Sequence, residues 1–121
     1  MEVDQLSLER ILKALIGLGL SQTDAEIYIH LATAGPATAR SIINNLTINK
    51  RQIYRSLKAL QQKGIASGNE EYPAEFYAVY FEKALDLLLD VKKEQAKSIE
   101  ASKAELIADF QTEKKKSKES N

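Results

Sequence analysis

The chain has 121 residues, enough for one domain with a modest core and too few for two independent ones. It contains no cysteine, which excludes disulfides, thiolate metal sites and cysteine nucleophiles and fits a reducing, cytoplasmic setting. Its 17 basic and 17 acidic side chains cancel, yet the 43 positions between Glu26 and Glu70 carry six basic residues and no acidic one.

Residues 5 to 18 place Leu8, Ile11, Leu12, Leu15 and Ile16 at helical spacing, and Gly17 to Gly19 end that segment. Ser21 reads as the N-cap of a second helix running to about Ala34, with Ala25, Tyr28, Ile29, Leu31 and Ala32 as its apolar positions. Gly35-Pro36 breaks it. Thr38 then opens a short third helix carrying Ala39, Ile42, Ile43 and Leu46.

Asn49 is the cap expected for a fourth helix from Lys50 to Lys63, and Gly64 the residue expected just past its end. At about 100° per residue from Ile53, Leu57 falls near 40° and Leu60 near 340°. Arg51, Arg55, Lys58 and Gln62 fall between about 140° and 200° on the same wheel, so core and charge are opposed. Tyr54, at about 100°, sits between them, where half-buried packing and groove contact are both open. Lys63 is explained by a favourable interaction with the helix C-terminus.

After Gly64 the periodicity changes to two. Residues 65–68 and 76–81 read as the strands of a small hairpin, joined by a loop over 69–74. From about Glu82 a helical pattern runs to about Glu113, some 32 residues or roughly 48 Å. Its apolar seam is Leu85, Leu88, Leu89, Ala96, Ile99, Leu106, Ile107 and Phe110, and an eleven-residue step fits it better than a heptad. Such a seam needs a partner, and pairing with its twin in a homodimeric coiled coil, parallel or antiparallel, is the economical answer. Residues 114–121 read as a disordered basic tail.

The fold class is therefore mainly α with a small β-hairpin: a winged helix-turn-helix over residues 1–81, followed by a dimerisation helix over 82–113. No apolar run approaches the roughly 18 residues of a membrane helix, and the acidic start does not read as a signal peptide. An acid-free basic stripe on one helix is the footprint of a reader of the phosphate backbone, and double-stranded DNA is the expected partner. Arg40 either braces a phosphate or is simply exposed. His30 has only Glu26 within helical reach, so no metal site is expected. Nor is a catalytic set or a glycine-rich phosphate loop assembled, so neither enzymatic activity nor a cofactor is expected. Tyr77, Tyr80 and Phe81 read as hairpin core packed on the long helix.

The stretches Leu18-Gly19-Leu20-Ser21, Ala25-Glu26-Ile27-Tyr28 and Gly35-Pro36-Ala37-Thr38-Ala39 resemble the start of the TrmB-like family of transcription regulators. Ile53-Tyr54-Arg55-Ser56-Leu57, Leu60-Gln61-Gln62-Lys63-Gly64-Ile65 and Phe76-Tyr77-Ala78-Val79 continue the likeness, which covers about residues 17 to 90. The resemblance implies sequence-specific DNA binding by a dimer. It puts Thr38 near a phosphate and turns Lys50, Arg51, Gln52, Tyr54 and Arg55 to the groove. With Arg40, Asn49 and Lys58 these form the candidate DNA-binding set. Larger members carry a sugar-binding effector domain, and this chain ends where that domain would begin, so sensing by that route is not expected. Two further departures concern the site. The turn over residues 44–48 lacks the glycine usual there, and Glu70 and Glu71 make the wing tip acidic. Phosphate repels such a tip, which implies a wing outside the minor groove or against a protein partner. With the neutral net charge and the long seam, it keeps open the alternative of a winged-helix protein-interaction module of the transcription machinery with little DNA binding.

Overall fold

The computed structural model describes residues 5–119, in chain order α1 (Gln5–Gly17), α2 (Gln22–Ala34), β1 (Ala37–Thr38), α3 (Ala39–Asn45), α4 (Lys50–Gln62), β2 (Ala66–Gly68), β3 (Glu75–Ala78), α5 (Phe81–Ala101) and α6 (Lys103–Glu119). Local chemistry sets most of these boundaries. Ser21 Oγ accepts from the Asp24 N–H at 3.0 Å and starts α2. Both α1 and α4 end in the same reversal: the Leu20 N–H reaches Leu15 O and the Ile65 N–H reaches Leu60 O, each at 3.1 Å. Those six-to-one bonds need a left-handed residue just before them, supplied by Gly19 (φ 108°) and Gly64 (φ 77°).

The expected two-stranded hairpin is a three-stranded antiparallel sheet of order β1-β3-β2. Ala37 pairs with Phe76 on one side of β3, and Ala66, Ser67 and Gly68 pair with Ala78, Tyr77 and Phe76 on the other. Two residues after Pro36 are too short to signal a strand, but they satisfy a sheet edge that β3 would otherwise leave open. β3 is shorter than the expected 76–81 run. One further ladder bond, Val79 N–H to Ile65 O at 2.9 Å, closes the sheet before α5 begins.

The apolar faces converge on one core containing Leu15, Ile27, Tyr28, Leu31, Ile42, Ile53, Leu57, Leu60, Ile65 and Leu88. The α4 face of Ile53, Leu57 and Leu60 is buried as its spacing required. On α2 the buried set is Ala25, Ile27, Tyr28 and Leu31, whereas Ala32 is exposed; on α1, Ile16 is exposed. Tyr77, Tyr80 and Phe81 are also exposed, which corrects their reading as hairpin core. The alternation along β3 instead turns Phe76 and Ala78 inward.

Contacts divide the chain into two units, residues 1–89 and 90–121. In the first, Leu88 is 4% exposed and Leu85 is packed on the core, so these two seam residues serve the interior of their own chain. In the second, the single helix expected to end near Glu113 is interrupted at Ser102 and continues to Glu119. The Ser102 hydroxyl donates to Ser98 O at 3.0 Å, and its N–H is shared between Ser98 O and Ile99 O. Such back-bonding tightens the turn locally. Residues 114–119, expected as tail, lie within α6: they are mostly Lys and Glu, good helix formers, and the basic residues Lys116 and Lys118 suit the C-terminal dipole. Residues 120 and 121 of that expected tail lie outside the described residues. No described helix is long and apolar enough to cross a membrane.

Tyr28 ties the first unit together: its side chain is fully buried and its O–H donates to Val79 O at 2.6 Å. Tyr28→Phe should cost about 1–3 kcal/mol, because it leaves a carbonyl unpartnered. Burial also raises the Tyr28 pKa above its ordinary 10.0, so the folded state holds the phenolic proton more tightly than the unfolded one. Its contribution is fully present below pH 10 and is lost as pH rises beyond that. Urea unfolding at pH 7 and above pH 10 should show the Phe variant losing less stability between the two than the wild type.

Candidate nucleic-acid interface

The candidate interface is built on the N-terminal halves of α3 and α4. Thr38 starts α3, its Oγ1 accepting from the Ser41 N–H at 3.1 Å. Asn49 starts α4, its Oδ1 accepting from the Gln52 N–H at 2.9 Å. The turn between them, though without glycine, contains no residue of positive φ among those described; Leu46 closes α3 in an extended conformation. Half-buried Leu46 and Ile48 pack that turn onto the core.

Once α4 lays Ile53, Leu57 and Leu60 into the core, Lys50, Arg51, Arg55 and Lys58 are exposed on it. Arg40, at the start of α3, is exposed as well. The salt bridges among the described residues join Lys97 to Glu94 and Lys116 to Glu113, far along the chain. The five cations of α3 and α4 thus face water without a described counter-charge. A polyanion meeting this face does not have to displace an internal acid first.

Three of the candidate residues prove to have structural partners. The side-chain oxygens of Thr38 and Asn49 accept the capping bonds that start their helices. Gln52 Nε2 donates to Thr23 Oγ1 at 2.9 Å, tying α4 to the first turn of α2. Tyr54 is 48% exposed and lines a cleft beside the wing.

The wing between β2 and β3 is ordered by Asn69. Its Oδ1 accepts from the N–H groups of Glu71 (3.3 Å) and Glu75 (3.0 Å), and its own N–H donates to Glu75 O at 3.0 Å. Glu70 and Glu71 are exposed at the tip, and next to them Tyr72 is fully exposed. Sequence reasoning missed the parts played by Thr23, Asn69 and Tyr72. An asparagine just after a strand glycine was a turn signal for Asn69; Thr23 and Tyr72 had none. His30 is half-buried, and among the described residues no group of three His, Asp or Glu side chains could hold a metal ion.

A family model described as "Sugar-specific transcriptional regulator TrmB" matches residues 15–82. No curated protein matches the chain. Among solved structures, the archaeal chromatin protein TrmBL2, reported to show a novel mode of DNA binding, superposes with a TM-score of 0.75 at 19% identity. That match covers 86% of this chain, but this chain spans only 42% of the other's length. A protein named as a possible transcriptional regulator from Methanosarcina mazei Go1 superposes with a TM-score of 0.60 at 14% identity, covering 82% of this chain and 88% of that one. At such identities the likeness is one of fold: a winged helix-turn-helix.

Asn49 provides a stability test independent of any ligand. Asn49→Ala should cost about 1 kcal/mol by removing the α4 cap, whereas Asn49→Asp should retain it. Urea midpoints for the two variants check this.

Proposed function

This chain belongs to the TrmB family of transcriptional regulators, and we propose that it acts as a homodimeric, sequence-specific DNA-binding regulator that reads the major groove with α4. The observation that carries the reading is the row of exposed cations Lys50, Arg51, Arg55 and Lys58, opposite the buried face and without a described anionic partner. Arginine forks match the two acceptors of guanine, and lysine neutralises phosphate. Arg40 adds a cation at the start of α3, from which a helix crossing the backbone would meet phosphate.

Dimerisation is supported by the second unit. From Val91 to Lys118 only Ser102 is even half-buried, and Ile99, Leu106, Ile107 and Phe110 are all exposed. Helices that bury no apolar face are marginal in water, and pairing with a second copy supplies the missing partner. Leu89 and Ala96 complete that seam; Leu85 and Leu88 do not belong to it. Two recognition helices in one dimer would meet half-sites about 10 to 10.5 bp apart, or a multiple of that.

Selection from a random duplex pool at two salt concentrations should recover a two-fold symmetric site. Binding should weaken steeply with salt, with a slope reflecting several neutralised phosphates. Arg51→Ala and Arg55→Ala should each cost roughly 1–3 kcal/mol on the selected duplex if they contact bases. A gel-shift series in which neither weakens binding would remove α4 as the reading helix. For the dimer, Ile107→Asp or Phe110→Asp should weaken self-association by roughly tenfold or more in sedimentation, since burying such a side chain contributes about 1.5–3 kcal/mol.

A further inference from the structure

The wing and the helix-turn-helix enclose an open cleft of about 500 Å³. Phe76 lines it, together with Thr38 and Arg40 from the start of α3, Tyr54 from α4, and Glu71 and Tyr72 from the wing loop. Its polar groups are of one kind with a single exception. The guanidinium of Arg40 and the phenol groups of Tyr54 and Tyr72 can all donate hydrogen bonds. The hydroxyl of Thr38 accepts the capping bond from Ser41 and keeps its proton for an outside acceptor. Glu71 is the exception: it lines the same cleft as Arg40 without forming a described ion pair with it, so the lining combines one cation and one anion with neutral donors.

The wing loop is anchored at both ends. Asn69 bonds the backbone of Glu71 and Glu75, and β3 is paired on both edges. Tyr72 stands out from that anchored loop with nothing packed on it. A large amphipathic ring held in water on an ordered segment is suited to contact with a partner.

Duplex geometry says what that partner surface is. The two grooves are separated by a sugar–phosphate backbone, so an α4 in the major groove and a wing beyond it have one strand of that backbone between them. We propose that the cleft seats this strand, with Tyr72 holding it through uncharged contact and Glu71 limiting charge-driven binding to any duplex. This rests on the DNA-reading role of α4. It also gives the acidic tip a function compatible with DNA, since the wing flanks the backbone without entering the minor groove.

Fluorescence anisotropy across a salt series, with the selected duplex and a scrambled duplex of the same composition, tests the inference. Tyr72→Ala should weaken the selected complex about tenfold, the effect of losing one hydrogen bond to a charged group, while the logarithmic salt slope stays unchanged. Arg40→Ala should reduce that slope by about one. Glu71→Gln should tighten both duplexes. All three positions line an open cleft and Arg40, Glu71 and Tyr72 are exposed, so melting temperatures near the wild type should confirm intact folding. If Arg51→Ala weakens binding while Tyr72→Ala and Glu71→Gln leave it unchanged, the cleft is empty in the complex and the inference falls alone. A wild-type chain that binds no duplex overturns the DNA reading and the inference with it.

Discussion

One hydroxyl group joins the distant parts of the first unit. Tyr28, buried in the middle of α2, donates to the carbonyl of Val79, fifty-one residues later, while the amide of Val79 donates to Ile65 just past α4. The first residue beyond β3 is thereby fixed to α2 and to the segment just past α4 together. Since the wing is the loop between β2 and β3, its distance from the charged face of α4 follows from this junction. The cleft lined by Arg40, Tyr54 and Tyr72 lies between that sheet and the helix-turn-helix. A polar bond is economical at this point, because the buried phenol and the half-buried Val79 carbonyl satisfy each other and the phenol is not left unpaired in the core.

Charge follows the same architecture. The acid-free window of the chain spans α3, α4 and β2, and the fold turns its basic side chains outward by filling the opposite face with Ile53, Leu57 and Leu60. Acid returns at Glu70 and Glu71, and the hairpin brings Glu71 back to line the same cleft as Arg40, thirty-one positions away in sequence. The exposed cations Lys50, Arg51, Arg55 and Lys58 of α4 lie outside that cleft, so of the positive side chains on α3 and α4, those that share no cleft with an acid are on α4.

The second unit follows a different logic. Its apolar residues bury nothing within the chain, and its two exposed ion pairs, at i,i+3 spacing, contribute little in water. Helix propensity maintains the segment through Glu119, and the side chain of Ser102 interrupts it by competing for the carbonyls of the preceding turn. The apolar row that begins at Leu85 does not all face one way. Its first turn finishes the core of the first unit through Ala84, Leu85 and Leu88, and the outward seam begins at Leu89.

By itself the sequence determined everything that depends on neighbours along the chain. Ser21, Thr38 and Asn49 open helices because a short polar side chain can reach an amide three residues on; Gly19 and Gly64 close them because left-handed backbone suits glycine. The opposition of core and charge on α4 is likewise a matter of period. Only the tertiary structure decided what depends on distant partners: that Ala37 and Thr38 complete a sheet, that Gln52 is tied to Thr23, that Tyr77 and Tyr80 face water, and that Leu88 belongs inside. Periodicity says that a residue is apolar and which face it shares. It does not say which of two apolar surfaces that face will meet, because that choice is made by elements tens of residues away competing for the same core.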